Sequence, residues 1–541
     1  MSGREHGPNP DGLIFHGPRI VALDGTEPEA IAVLHERVVA SGSLRRMAER
    51  FPDARQVRLE GALVVPGFND AHLHPFLSSQ ALLRENLAPS ATPTTAEAVA
   101  KLRARAARAR PGEWIVGVAY DATRVAGPRL TRAALDAVSA TNPVYVVTAN
   151  WHAAVANTAA LAAAGLHDAS DSPPGGELTS DEQGELDGWV YEQAHIGFVW
   201  GSADAPPLVP AADLDAAVDA LVRENQYLHS LGITSYCDAV VTPEAWQVYS
   251  TARRTGRLTP RVGLLLWNGY ADAAAGLGLT SDLGDERLRL VGVKVMYDGA
   301  LSSGTCLCAE PYESATGTGN GIQIVDHAEY ADFVRRMHAR GIRVATHANG
   351  DVAIARVLDA IEDARRAFPE IAVNHRVEHC SMVDDHVVAR IRAAGVTPVP
   401  FSGFVADHGE DLVRIYGEQR ASRMLRHRSM IDGGVLPAGS SDYPCGPASV
   451  LAAIRSMVTR RTHGGRILGE DETVSVLDAL RIYTQGSAAS TGESNTKGTL
   501  APGHLADFVV LDRDLFAVDP AEIAAVRVRS TWVGGRAVWS A

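Results

Sequence analysis

Short apolar runs, each followed by a segment with helical spacing, repeat along most of this chain, and that alternation limits its fold more than any other feature. Eight runs read as strands: "LVVPGFN" (63–69), "ITSYCDA" (233–239), "RVGLLLW" (261–267), "LVGVKVMY" (290–297), "IRVATHA" (342–348), "NHRVEHC" (374–380), "GVTPVPF" (395–401) and "LPAGSS" (436–441). Segments such as 210–232 and 327–341 between them carry helical periodicity. Strands alternating with helices imply an α/β fold with a parallel sheet. Eight such units favour a closed (β/α)8 TIM-like barrel over an open sheet.

Two regions depart from the alternation. Residues 1–62 and 498–541 hold short β-like runs separated by turn signals, which predicts a small β-sandwich domain built from both termini, with 63–497 forming the barrel. Residues 75–209 separate the first and second candidate strands, and a connection of that length must carry its own structure. Because it leaves a barrel strand, it emerges at the C-terminal face, where barrel active sites lie. It is read as a lid-like insertion subdomain.

Composition narrows the partners. The net charge of −14 and the lack of a dense basic stripe with interleaved aromatics argue against nucleic acid. The arginine-rich stretch 101–111 reads as a solvated helix face. There is no run of about 18 apolar residues for a membrane span, and the polar first residues lead into no apolar signal region. Five scattered cysteines, Cys237, Cys306, Cys308, Cys380 and Cys445, do not make a disulfide framework. The expectation is a cytoplasmic, reduced protein that takes a small-molecule substrate and has no membrane partner.

The candidate site begins with Lys294, inside "LRLVGVKVMYDGAL" (288–301). A buried ammonium is costly unless paired or neutralised, and Asp298 is a candidate partner. In "VVPGFNDAHLHPF", His72 and His74 stand two apart at a strand end, so both side chains point the same way and two imidazoles can bind one metal ion. His347 ends the fifth run, His379 ends the sixth, and Asp442 follows the eighth. Each has a local reading as well: His347 as a satisfied core histidine, Asp442 as a helix cap. Together they place polar groups at one end of one barrel.

These motifs, with "NPVYVVTANWHAAVANTAAL", "THANGD", "AGSSDYP" and "KGTLAPGHLADFVVLD", resemble the amidohydrolase superfamily across nearly the whole chain. The resemblance is to amidohydrolase family 3, which includes N-substituted formamide deformylases. It implies a site for a divalent metal, zinc by default, as one or two ions. His72, His74 and Asp442 would hold one ion, His347 and His379 the other, and a carboxylated Lys294 would bridge them. The implied reaction is hydrolysis of a non-peptide C–N bond, amide or N-acyl, through a metal-activated hydroxide, with Asp442 as general base and then acid.

The resemblance also implies substrate contacts from His152, as donor to the carbonyl or developing oxyanion, and from Asn157. Trp151 is an apolar wall or a packing residue within the lid, and Tyr297 follows the lysine at the barrel mouth. Glu192 resembles a family acid and reads as a helix-start or salt-bridge residue. The Gly/Ser/Thr-rich segment 302–321 is expected beside the site. Two serines precede Asp442 where relatives commonly have one, yet no other acid is nearby. A mononuclear ring deaminase, an ester, lactone or carbamate hydrolase, and a non-catalytic scaffold remain as other readings. A homodimer is the family-level expectation.

Overall fold

A computed structural model describes residues 12–302, 304–312 and 319–541. Its centre is a parallel barrel of seven strands, β1 (Phe68–Leu73), β2 (Ile233–Val241), β3 (Arg261–Trp267), β4 (Leu288–Met296), β5 (Val344–Ala348), β6 (Arg376–His379) and β7 (Thr397–Pro400), each paired with the next. Helices such as Leu214–Ser230 and His327–Ala339 pack outside. Strands buried on both faces read as continuous apolar runs, which is why they were legible.

The eighth predicted strand, 436–441, is not a regular strand, but it closes the barrel. Ala438 N donates to Pro398 O (3.0 Å), Ser402 N to Ser440 O (3.0 Å) and Ala71 N to Gly439 O (2.8 Å), so the segment lies between β7 and β1. Pro437 lacks an N–H for the ladder. Gly439 lies against Tyr483, whose ring would be 2.7 Å from an added Cβ.

The first predicted strand is two strands. Leu63–Pro66 pairs with Phe508–Leu511 and Arg19–Ile20 in the terminal domain, and β1 starts only at Phe68. The boundary therefore falls at Gly67 and not at 62/63. A Cβ on Gly67 would lie 2.2 Å from the Thr234 hydroxyl, so the chain can pass that close to β2 only as glycine.

The terminal domain is two stacked sheets, one of four strands and one of five. They share one core, in which Phe15, Phe508 and Trp532 meet with ring centroids 5.0 to 5.5 Å apart. The insertion after β1 has its own six-stranded sheet, including Ile115–Tyr120, Val144–Thr148, Ala153–Ala156 and Leu186–Glu192. Alternate residues feed separate cores on its two faces, Val144 and Val146 on one, Tyr145 and Val147 on the other. The arginine-rich stretch starts on the helix Thr95–Ala106, which a Thr94–Glu97 capping box opens. No helix among the described residues is long and apolar enough to cross a membrane.

Candidate metal centre

The C-terminal ends of β1, β4, β5 and β6 converge with the loop after 441. His72, His379 and Asp442 can each offer a ligand atom, and those atoms lie within 4.8 Å of one another. Asp442 Oδ1 is 3.2 Å from His74 Nε2 and 3.3 Å from His72 Nε2. The rings of His72 and His379 are 4.8 Å apart, and those of His347 and His379 4.4 Å. Lys294 Nζ is 3.4 Å from His72 Nε2. All six residues implied as ligands therefore meet in one buried cluster.

The backbone bends to achieve this. His379 and Asp442 have φ of 67° and 55°, a left-handed conformation uncommon away from glycine. In a regular strand, neighbours Glu378 and His379 would face opposite sides. The turn at His379 lets both serve the cluster, the glutamate from within the barrel and the imidazole from its rim.

Glu378 was not singled out in the sequence. Its Oε2 makes a very short contact with His72 Nδ1, while Arg376 grips the carboxylate through Nε and Nη2, both at 2.7 Å. A carboxylate on Nδ1 fixes the imidazole proton there and turns the Nε2 lone pair toward the cluster. Burial opposes the charge on Glu378, but Arg376 and His72 hold its pKa well below the usual range. Asp70 is a second overlooked residue. Its Oδ1 accepts from the backbone N–H of His72 (3.1 Å) and of Ser441 (3.2 Å), tying two ligand-bearing segments together.

Charge states suit metal binding. Burial pushes His74 down to about 4 and His347 and His379 well below the ordinary range, leaving their lone pairs free. Burial works against a charged Asp442, yet hydrogen bonds to His72 and His74 lower its pKa. Burial lowers Lys294 to about 8, against the opposing pull of Glu378 and Asp442. The Nδ1 atoms of His74 and His379 are buried and without a hydrogen-bond partner. In His74 the Nε2 faces Asp442, while the orphaned Nδ1 lies toward Asp238 Oδ1, 4.0 Å away.

Asp298 is not the partner of Lys294. Its carboxylate accepts from the backbone N–H groups of Leu307 (2.9 Å), Asn349 (3.0 Å) and Gly350 (2.9 Å), which consumes it in shaping the loops.

The insertion reaches the cluster through one of its expected contacts. The His152 ring lies 5.3 Å from that of His347, and its Nδ1 is 2.8 Å from Glu192 Oε2. Burial disfavours a charged His152, but the Glu192 charge and hydrogen bond outweigh it and raise its pKa. Glu192 thus takes the salt-bridge role. Trp151, just before His152, packs against the cores of both the barrel and the insertion.

Two expected substrate contacts are corrected. Asn157 is fully buried in the insertion: Oδ1 accepts from Val144 N and Ala160 N, and Nδ2 donates to Ser139 O and Asn142 O. Every polar atom is used to cap a helix and pin a loop. Tyr297 faces the outer helices, with its ring 4.9 Å from Tyr330 and its hydroxyl 3.0 Å from His327 Nδ1. It stands three residues from Lys294, and strand alternation sends the two to opposite faces. Of the segment 302–321 expected beside the site, residues 303 and 313–318 lie outside the described residues.

Known proteins resemble this chain over nearly its whole length. The family model described as "Amidohydrolase family" matches residues 56–539. An N-substituted formamide deformylase from Arthrobacter pascens is 31% identical over 496 residues, 90% of each chain. A crystal structure of an uncharacterized metal-dependent hydrolase from Pyrococcus horikoshii OT3 superposes with a TM-score of 0.74 at 25% identity, covering 94% of this chain and 99% of that one. A second, from Pyrococcus furiosus, gives 0.71 at 26% identity, covering 93% and 100%. With a cluster of groups that could hold a metal ion at the mouth of a parallel barrel and a family match over most of its length, this chain belongs to the amidohydrolase family.

Proposed function

We propose that the protein hydrolyses a non-peptide C–N bond, an N-formyl or N-acyl amide, in a small molecule. The observation that carries this reading is the convergence of four imidazoles, one carboxylate and one amine of lowered pKa in a single buried cluster. The named relative, a formamide deformylase, supports the bond type.

The residues fit a pair of divalent ions, zinc by default. His72, His74 and Asp442 would hold one, His347 and His379 the other. Lys294, as an amine with a pKa near 8, can be carboxylated by carbon dioxide and would then bridge them. When bound, such ions lower the pKa of water toward neutrality and polarise a carbonyl.

The rest is work for the chain itself. Asp442, held anionic, accepts a proton from the attacking water and passes it to the departing nitrogen. His152, whose pKa the Glu192 carboxylate raises against burial, is placed to donate to the substrate carbonyl oxygen and stabilise charge developing there. Glu378 keeps His72 in one tautomer. The insertion brings His152 alongside His347, ring centroids 5.3 Å apart. All five cysteines are free, consistent with a reducing, cytoplasmic setting.

The test combines metal counting with product analysis. The purified protein should contain divalent metal, lose activity on chelation and regain it with zinc. N-substituted formamides should yield formate and an amine. Ammonia released from a ring substrate would instead identify a deaminase. A protein empty of metal, with no gain on adding zinc, would contradict the proposal.

A further inference from the structure

In the loop after β4, "TCLCAEP" places Cys306 and Cys308 two residues apart, and neither has a part in the site described above. Their side chains turn to the same place. The two Sγ atoms are 3.7 Å apart, and Cys308 Sγ is 3.6 Å from the Sδ of Met382, which comes from the loop after β6. Both cysteines are buried, and Met382 is partly exposed. Three sulfurs from two loops thus form one cluster.

The backbone holds this arrangement from several directions. Leu307, between the cysteines, donates its N–H to Asp298 Oδ2 (2.9 Å), and Cys308 donates its N–H to Asn320 O (2.8 Å). The Tyr312 hydroxyl donates to Cys306 O. Gly321 has a φ of 97°, and a Cβ there would collide with Cys306 O, as one on Gly350 would with Leu307 O. On the other side, the Met382 N–H donates to Asn349 O (3.1 Å). The sulfurs are therefore positioned before any ligand arrives, which lowers the cost of ordering them.

The chemistry of the cluster is soft. Tyr416 donates its hydroxyl to Leu301 O (2.7 Å) and stands 3.2 Å from Cys306 Sγ, so its oxygen can accept from that thiol. The neighbouring carboxylates are engaged by the backbone: Asp298 by three N–H groups, Asp351 by that of Ala309 (2.9 Å). The donor set is two thiols and a thioether. Such ligands select monovalent copper, whereas imidazole and carboxylate suit zinc. Three sulfurs each ~2.3 Å from one ion in a plane stand ~4 Å apart, near the two separations found here. Of the pair, Cys308 ionises first: its hydrogen bond with Cys306 lowers its pKa against burial, while burial raises that of Cys306.

We propose that Cys306, Cys308 and Met382 form a second metal site, for one monovalent copper ion. Binding breaks the two S–H bonds and forms two Cu–S bonds. The two protons leave to solvent, Met382 adds a third bond from its neutral sulfur, and no electron is transferred. The ion would tie the loop that follows the Lys294 strand to Met382, three residues past His379. The two sites differ in softness, so one protein can hold both metals without exchange. The inference stands whether or not the protein cleaves amides.

The test uses the full-length protein loaded with zinc, so that the imidazole cluster is filled, and titrates it anaerobically with monovalent copper against the chelator bathocuproine disulfonate. The expected result is one copper retained per chain, with an X-ray absorption shell of three sulfurs at ~2.3 Å. Cys308→Ser should weaken binding by about 100-fold or more, past the effect of an outer-shell partner. Met382→Leu keeps the side-chain volume and should weaken it by less, leaving a shell of two sulfurs. Zinc content and melting temperature report whether each variant is folded, and the wild-type spectrum decides even if one is not. Copper held through nitrogen or oxygen, no copper retained by the wild type, or a folded Cys306→Ser/Cys308→Ser protein that binds as tightly as wild type would each overturn the site.

Discussion

The chain has three lysines, and two are buried in opposite ways. Lys497, 6% exposed, holds Glu493 Oε2 at 2.7 Å and donates to Ser235 Oγ at 2.6 Å. Lys294, 2% exposed, has its hydrogen-bond contact with another nitrogen, His72 Nε2, at 3.4 Å. The first is a solved electrostatic problem, a cation with its anion inside one hydrogen-bonded unit. The second has no carboxylate within hydrogen-bonding distance, and the Nδ1 atoms of His74 and His379 near it likewise have no partner. Burial of charge alone says little about function. Burial without an internal partner, among groups of one chemical kind, points to something the protein binds.

Exchanging each lysine for methionine sharpens the contrast most. Lys294→Met should lower turnover by roughly 10³-fold or more, beyond the ~10–100-fold typical of an outer-shell partner. The metal-free protein should melt no lower than wild type, because an ill-partnered buried amine has been removed. Lys497→Met should do the reverse: it strands Glu493 and costs about 3 kcal/mol, the low end of the range for breaking a buried pair, because Arg289 remains 3.4 Å away. Turnover per folded molecule should persist. Thermal melts and kcat on both variants check this, and matching phenotypes would break the distinction.

Glu378→Gln comes next. The partner of His72 is weakened without changing shape, and metal affinity should fall by roughly 10–100-fold. Competition with a calibrated chelator measures it. Unchanged affinity would mean that Arg376 and Glu378 only fill the barrel.

Asn157→Ala tests the corrected substrate contact. It should cost ~1–2 kcal/mol through the lost cap and leave kcat and KM as they were. A raised KM would return Asn157 to the site.

The smallest expected effect is a pH dependence at the satisfied lysine. Burial raises the pKa of Glu493, but Lys497 and neighbouring hydrogen bonds pull it below the ordinary value of 4.5. With the folded pKa depressed, its contribution to stability is present above about 4.5 and fades as pH falls through the folded value. Urea melts between pH 6 and 3 should show a decline there that is shallower in Lys497→Met.

Much of the site was legible because polar residues interrupt apolar strands at one end. His72, His74, Lys294, His347, His379 and Asp442 all announce themselves that way, and the resemblance gave their grouping. The same reasoning could have found Arg376 and Glu378, two charges at alternate positions of a buried strand. It could also have rejected Tyr297, whose odd spacing from Lys294 sends it outward. Other features were hidden for physical reasons. The break at Gly67 depends on how closely Thr234 approaches. The Asn157 cap depends on a loop some fifteen residues away in sequence, which no local pattern encodes. The eighth barrel segment is held by hydrogen bonds from both neighbours without strand geometry, so propensity alone gives its place and not its form.

The most direct measurement is carbon-13 NMR of the zinc-loaded protein prepared in ¹³C-bicarbonate, with metal counted on the same sample. One carbamate carbonyl resonance, absent from Lys294→Met and accompanied by two ions per chain, is the expected result. A spectrum without that resonance, from an active enzyme holding one ion, would contradict the bridging role of Lys294.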